Sequence, residues 1–254
     1  IDLCGAYLPE SPVSFVGTAA AEAVFLDWTG CSAPAGTAQC DATVTQAAVV
    51  RGRFGRQLDF DAVGTGSVDI TEPVHGDCGP NTTGACVGAY PEGATVTFIA
   101  NPAVGWAVQA SSWTGCTPAA GNAQSCTVVM SGARSVGLTF GRQLEVTSTN
   151  GTVNSQPAGI DCGADCSEVY LDGASVQLTA SPDGGWSFSG WSSACVPVDD
   201  PTCSVTMDAA KSVTADYGRQ LQVTIEGGGG VVAPGINCPD TGGDCTEVYS
   251  SATV

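Results

Sequence analysis

The chain has 254 residues and carries 25 Asp and Glu against 7 Lys and Arg, a net charge of −18. This excess of negative charge disfavours nucleic acid and anionic membranes as partners. The sequence has neither an apolar run long enough to span a bilayer nor a charged-then-apolar leader, so we expect no membrane insertion and no signal segment within it.

The tetrapeptide Gly-Arg-Gln-Leu occurs three times, at residues 55–58, 141–144 and 218–221. A motif that returns about every 80 residues, with cysteine and tryptophan patterns between its copies, predicts tandem small domains instead of one large fold. The copies divide the chain into a partial repeat, two full repeats and a second partial repeat, at residues 1–55, 56–141, 142–218 and 219–254.

Each repeat is predicted to consist of β-strands. Apolar residues alternate at Val176, Leu178 and Ala180 and the alternation stops at Pro182, which is typical of a half-buried strand. The segment from Met207 to Val213 is predicted to be a hairpin with a short turn. Because no segment shows a helical pattern, we expect an all-β fold of small domains, β-grasp-like or a small sandwich, arranged as a rod.

The chain has 13 cysteines, which arrive in close sequential pairs in every copy, as in the disulfide frameworks of small secreted domains. A tetrahedral zinc site would tolerate less variation in spacing than these pairs show. Cross-pairing of Cys162 and Cys166 with Cys195 and Cys203 stays open as an alternative. We predict the disulfides Cys31–Cys40, Cys78–Cys86, Cys116–Cys126, Cys162–Cys166, Cys195–Cys203 and Cys238–Cys245.

Arg56, Arg142 and Arg219 lie in the three copies of the tetrapeptide. The alternation of apolar residues passes through the third copy without changing phase, whereas a flexible linker would show Gly/Ser or Pro runs there. We therefore expect short, stiff junctions in which each Arg pairs with a carboxylate or carbonyl of the adjoining repeat. A solvated Arg is the alternative.

Five tryptophans fall into two groups. Trp28, Trp113 and Trp191 each stand shortly before a cysteine, and we interpret them as core residues. Trp106 and Trp186 follow Gly and are the better candidates for exposed rings. They carry the alternative function, a carbohydrate-binding module in which exposed tryptophans stack on sugars.

The sequence predicts neither catalysis nor a resident cofactor. The one histidine, His75, has no counterpart in the other copies, so no catalytic base recurs and we predict that the chain is not an enzyme. Asp161, Asp165 and Glu168 cluster near a turn. They leave calcium binding open as an alternative, although no EF-hand pattern is present.

Two asparagines begin sequences that match the N-glycosylation acceptor pattern. Asn81 precedes Thr82-Thr83, and Asn150 precedes Gly151-Thr152. Both are therefore predicted to be exposed turns and candidate sites of glycosylation.

The chain is predicted to begin and end inside a repeat. Cys4 takes the second position of a cysteine pair, and residues 219–254 stop before the main strand of their repeat. Two interpretations stay open: the chain is an excerpt of a longer array, or subunits complete each other's split repeat head to tail. In both, Cys4 bonds to a cysteine outside residues 1–254 or in another subunit.

The motif order in residues 142–218 carries a family resemblance. Pro157–Cys162, Asp165–Tyr170, Gly185–Trp191 and Cys203–Met207 together resemble the divergent internalin-type B-repeat, which occurs in tandem in large secreted or surface-attached bacterial proteins. The first copy departs from the pattern, with Ala23 where Trp186 stands. The resemblance implies a non-catalytic stalk or adhesive array, extracellular or at the cell surface, whose partners are further repeats, other copies and surface glycans.

Overall fold

The computed structural model describes residues 8, 10–34, 37–46, 48–192, 194–239 and 245–250, so Cys4 lies outside the described residues. Within them the regular structure is entirely β, and no helix is long and apolar enough to cross a membrane. The strands are β1 (Ser11–Val16), β2 (Val24–Thr29), β3 (Gln39–Val44), β4 (Arg51–Val63), β5 (Gly66–Ile70), β6 (His75–Gly76), β7 (Cys86–Pro91), β8 (Thr95–Pro102), β9 (Ala107–Val108), β10 (Thr117–Ala119), β11 (Asn122–Val129), β12 (Arg134–Ser148), β13 (Gly151–Gln156), β14 (Asp161–Cys162), β15 (Ser167–Tyr170), β16 (Ser175–Pro182), β17 (Ser187–Trp191), β18 (Thr202–Thr206), β19 (Lys211–Gln222), β20 (Val231–Ala233), β21 (Ile236–Cys238) and β22 (Thr246–Ser250).

The chain forms two compact units. Unit 1 comprises Ile1–Ala103 and Ser111–Phe140, and unit 2 comprises Val104–Ala110 and Gly141–Val254. Each unit holds one predicted full repeat together with the neighbouring partial repeat, except that Val104–Ala110 is grouped with unit 2.

Unit 1 is built from two facing sheets. In the first, β4 pairs antiparallel with β2 and β7 and parallel with the first half of β12, and β6 extends β7. The second has the order β10–β11–β8–β5, and β1 and β3 form a separate pair. The rings of Phe60 on β4 and Phe98 on β8 stack with their centroids 5.5 Å apart. The two sheets therefore share one apolar core.

Unit 2 follows the same plan. The second half of β12 pairs antiparallel with β15 and parallel with β19, which also pairs with β17 and β22. The facing sheet has the order β14–β13–β16–β18, and β20 and β21 form a small hairpin. Buried residues of both sheets, from Leu144 on β12 to Tyr217 on β19, form one continuous core. The all-β prediction of small domains is confirmed.

The predicted hairpin at Met207–Val213 is wrong. The strand β18 pairs with β16 in one sheet, whereas β19 pairs with β12 and β17 in the other. The connection therefore crosses between sheets, which lets β19 return parallel to β12. Val205, Met207 and Val213 are all buried, because both strands point into the same core from opposite sides. Apolar alternation alone does not distinguish this crossing from a hairpin.

Within the described residues, six disulfides join twelve cysteines in sequential pairs. In this structure Cys162 bonds to Cys166 and Cys195 bonds to Cys203, so cross-pairing within that repeat does not occur. The remaining four bonds join Cys31 to Cys40, Cys78 to Cys86, Cys116 to Cys126, and Cys238 to Cys245. A disulfide typically contributes about 2–4 kcal/mol, which matters in units with cores this small.

Candidate functional site at the repeat junctions

The three tetrapeptides lie inside long strands, at the point where the strand exchanges one neighbour for another. In β4, Arg51–Gly55 pairs with β2, and Gly55–Phe60 pairs with β7. In β19, the pairing with β17 ends at Gly218, and the pairing with β22 begins there. One continuous strand thus belongs to two successive repeats.

The glycine of each tetrapeptide is required by close approach of a neighbouring backbone. A Cβ on Gly141 would lie 2.3 Å from the carbonyl oxygen of Tyr170. The corresponding distances are 2.0 Å for Gly55 to Tyr90 and 2.5 Å for Gly218 to Tyr249. No side chain fits at such distances, so the glycine is fixed by the tyrosine strand packed beside it.

Arg142 is held on three sides. Its Nε donates to Oδ1 of Asp172 at 2.7 Å, and its Nη1 donates to the carbonyl oxygen of Gly105 at 3.0 Å. Its guanidinium carbon lies 3.8 Å from the ring centroid of Trp106. Such a planar guanidinium can accept an aromatic face and bond in its own plane at the same time. Only 17% of the side chain is exposed.

Arg219 repeats the carbonyl and aromatic contacts of Arg142. Its Nη1 donates to the carbonyl oxygen of Gly185 at 2.8 Å, and its guanidinium carbon lies 4.2 Å from the centroid of Trp186. Gly105 and Gly185 have φ angles of 76° and 81°, a left-handed conformation that glycine adopts without strain. The sequence Gly-Trp therefore places a free carbonyl and an aromatic face beside one arginine.

Arg56 has the same position with fewer partners. Its Nη1 donates to the carbonyl oxygen of Glu22 at 3.2 Å, and its Nη2 lies 3.3 Å from Oε1 of Glu92. Glu22 is also left-handed, with φ 62°, but Ala23 follows it in place of a tryptophan. The Nε of Arg56 is buried without a hydrogen-bond partner. This junction therefore has the carbonyl and the carboxylate but no aromatic face.

Trp106 and Trp186, predicted as candidate sugar-stacking rings, are half-buried. A guanidinium already occupies one face of each ring. Ligand stacking on that face would require displacement of Arg142 or Arg219. Their role as ligand platforms stays a prediction.

The other tryptophans lie against the cores. Trp113 and Trp191 are buried, and their indole nitrogens donate at 2.8 Å to the carbonyl oxygens of Ala123 and Asp200. Trp28 is half-buried, with its ring 5.5 Å from that of Phe25, and its indole nitrogen is buried without a partner. The first copy thus lacks a bond that the two full copies share.

A second ion pair lies close to the first junction. Arg53 donates from Nε to Oδ1 of Asp27 at 2.6 Å, and Nη2 of Arg53 also bonds the Asp27 carboxylate. This contact holds the pKa of Asp27 below its usual value. It joins β2 to β4 just before the tetrapeptide.

The three candidate calcium ligands do not converge on one point. Asp165 accepts a bond from the backbone of Ser167, and Glu168 accepts one from the backbone of Val169. Among the described residues the one tight group of candidate metal ligands is Asp77 with Cys78 and Cys86. Those two cysteines are bonded to each other and are not free to bind a metal.

The remaining predicted residues lie on or near the surface. Asn81 and Asn150 are exposed and left-handed, with φ angles of 59° and 74°, and their glycosylation stays a prediction. His75 lies in β6 with its Nε2 buried and unpartnered.

The sequence was compared with protein families and with curated proteins. The family model described as the divergent InlB B-repeat domain matches residues 68–144 and 142–221. These two segments together cover more than half of the chain. The search of curated proteins found no match.

Proposed function

The chain belongs to the divergent InlB B-repeat domain family, and on this basis we propose that it is a non-catalytic structural or adhesive array. It forms part of a stalk or filament on or outside a bacterial cell, and its partners are further repeats or copies of the same protein. Six disulfides support an extracellular setting, because disulfides form and persist in oxidising compartments.

The recurring arginine at the junctions is the observation that carries this proposal. Arg56 bonds Glu22 of the preceding repeat and Glu92 of the following one. Arg142 does the same with Gly105 and Asp172 and adds the face of Trp106. Each arginine thus ties together segments on both sides of its tetrapeptide, Arg56 within unit 1 and Arg142 within unit 2. Side chains that tie successive segments of a repeat array together support a load-bearing role.

The first sheet of each unit supports the same function. The tetrapeptide strands keep backbone hydrogen bonds on both sides of the junction, since β4 passes from β2 to β7 without leaving a sheet. A continuous strand that is hydrogen-bonded in a sheet both before and after the junction resists separation of the repeats better than a solvated linker does. The family is generally non-catalytic, and the proposal assigns no chemistry to the chain.

The alternative, sugar binding on Trp106 and Trp186, has less support. Arg142 and Arg219 lie on these rings at 3.8 and 4.2 Å. A guanidinium on an aromatic face competes directly with a sugar for the same surface. We therefore assign Trp106 and Trp186 a structural role at the junctions in this proposal.

The test is small-angle X-ray scattering of the full chain beside a double variant, Arg142→Ala with Arg219→Ala. We expect the Kratky plot of the double variant to show greater flexibility than that of the wild type. The matched control, Arg51→Ala with Arg134→Ala, removes the same charge outside the tetrapeptides and leaves the profile unchanged. Equal profiles for both double variants would contradict the proposal.

A further inference from the structure

The outer face of the β13–β16–β18 sheet in unit 2 is lined by hydrogen-bonding side chains. Alternate residues such as Val153, Leu178 and Val205 are buried in the core, so the residues between them point outward. We call these outward residues the polar face. All are Ser, Thr, Asn or Gln, and nearly all are exposed; they are Thr152, Asn154, Gln156, Ser175, Gln177, Thr179, Ser181, Thr202, Ser204 and Thr206.

The polar face is ordered in rows by the strand register. Its two central rows cross all three strands, and they are Asn154–Thr179–Thr202 and Gln156–Gln177–Ser204. Neighbours within a row are separated by about 4.8 Å, and successive rows along a strand by about 6.8 Å. Donors and acceptors therefore repeat at fixed intervals in two directions.

These side chains have no hydrogen-bond partners in the part of the chain that the structure describes. The bonds of Thr152 and Thr202 involve their backbone atoms only. The amides of Asn154, Gln156 and Gln177 each carry two donors and an acceptor. The whole set is thus available to a ligand.

The charge of the polar face indicates which class of ligand it can bind. In a chain with net charge −18, the polar face itself carries no charged residue. Carboxylates lie at its rim: Asp161 on the edge strand β14 is opposite Asn154, and Oδ1 of Asp200 accepts from the backbone N–H of Thr202. A polyanion is repelled by the chain as a whole, and the rows of the face themselves offer a cationic ligand no carboxylate. A neutral ligand rich in hydroxyl groups matches both the charge and the donor and acceptor pattern.

The corresponding face of unit 1 is different. Ile99 and Val129 are exposed on it, and Asp69 accepts a bond from Asn101 within the face itself. An uncharged, unbonded array is therefore not a general property of strands in this chain. It belongs to the sheet β13–β16–β18.

We propose that the polar face of unit 2 binds a neutral polysaccharide. Hydroxyl groups on successive sugars bond the rows of Thr, Asn and Gln, and Asp161 accepts a further hydroxyl at the edge. Each contact on an open face is weak, because sugar and protein both exchange bonds with water. Successive sugars of one polymer can bond several rows of the face at once, which raises the avidity. This inference does not depend on the stalk function.

Affinity electrophoresis of the full chain tests the proposal. The gels contain dextran, a β-1,3-glucan or a β-1,4-mannan, each uncharged, and alginate serves as the polyanionic counterpart. We expect one or more neutral polymers to retard the wild type. The variant Gln177→Ala with Thr179→Ala loses two central contacts and should bind about tenfold more weakly.

The matched control is Gln143→Ala with Thr147→Ala, which removes exposed residues of the same types from β12 in the same unit. Its retardation should equal that of the wild type, with the circular dichroism of both variants unchanged. Three outcomes would overturn the proposal: no retardation by any neutral polymer, retardation by alginate alone, or equal retardation of both double variants. Retardation lost in Trp106→Ala with Trp186→Ala but kept in Gln177→Ala with Thr179→Ala would also overturn it.

Discussion

The guanidinium of Arg142 lies 3.8 Å from the ring centroid of Trp106 while two of its nitrogens bond Asp172 and Gly105. The Arg142 guanidinium therefore stacks on an aromatic ring through its planar face and donates hydrogen bonds from its edge at the same time. The same pairing recurs between Arg219 and Trp186. The recurrence indicates that the arginine and the tryptophan act as one unit at a junction.

Replacing Arg142 by Lys tests the need for a planar cation. A lysine ammonium cannot stack on Trp106 and bond both Asp172 and Gly105, so we expect a loss of about 1–2 kcal/mol in the free energy of unfolding. Urea unfolding followed by circular dichroism measures it. The control is Arg134→Lys, because among the described residues Arg134 bonds only the hydroxyl of Ser131. An equal loss in both variants would argue against the stacking role.

Gly141→Ala tests the close approach at the junction. The new Cβ would lie 2.3 Å from the carbonyl oxygen of Tyr170, which forces the β12 and β15 strands apart. We expect a loss of roughly 2–3 kcal/mol or more in unfolding free energy. Gly132→Ala is the control, since nothing lies within 4 Å of a Cβ there. If both variants unfolded at the same urea concentration as the wild type, the close approach of the Tyr170 carbonyl would not be the reason that residue 141 is glycine.

Ala23→Trp tests whether an aromatic face can be added to the first junction. Ala23 follows Glu22, whose carbonyl accepts from Arg56, in the same order as Gly105 and Trp106. We expect the new ring to lie on the Arg56 guanidinium and to stabilise unit 1 by about 0.5–1 kcal/mol.

A double-mutant cycle checks the origin of that gain. In the presence of Arg56→Lys, Ala23→Trp should give a smaller gain, because the cation–π contact is then weaker. A gain of equal size in both backgrounds would assign it to apolar burial of the new ring alone.

The sequence was sufficient to predict the strands, the cystine pairs and the position of the junction arginines. Period-two alternation and close cysteine spacing are local signals, and they report directly on strands such as β16 and on bonds such as Cys195–Cys203. The partners of Arg142 were not predicted, because Gly105 and Asp172 are far away in the chain. The recurrent Gly-Trp pair is the signal in the sequence for these contacts. By itself it indicates only that the rings of Trp106 and Trp186 are exposed, and it does not indicate that an arginine lies on each ring.

The crossing between sheets was missed for a different reason. Met207 and Val213 point into one core from facing sheets, and alternation is equally satisfied by two strands of one hairpin. The tyrosine carbonyls that fix the junction glycines were also missed. A contact with a backbone carbonyl does not depend on the type of side chain, so residue types do not predict it. The one sequence signal is a tyrosine that recurs four residues after Cys86, Cys166 and Cys245.

Tyr90 makes the stability of unit 1 depend on alkaline pH. Its hydroxyl donates to the carbonyl oxygen of Thr71 at 2.7 Å, and burial together with the nearby Glu72 raises the pKa of Tyr90 to about 12. The unfolded chain ionises near pH 10. Because the folded pKa is the higher one, the stabilisation is fully present below about pH 10 and is lost between about pH 10 and 12.

Tyr90→Phe should therefore flatten this pH dependence. A shift of this size corresponds to roughly 2–3 kcal/mol of unfolding free energy lost between pH 10 and 12 in the wild type. The variant costs about 1 kcal/mol at neutral pH, since the Thr71 carbonyl loses its donor, and then declines less steeply. Urea titrations at successive pH values measure both slopes. The control is Tyr170→Phe in unit 2: burial raises the pKa of Tyr170 too, so this variant should change the alkaline slope of unit 2 and leave that of unit 1 unchanged. Equal alkaline slopes for unit 1 in the wild type and Tyr90→Phe would show that the Tyr90 hydroxyl is not the group that titrates.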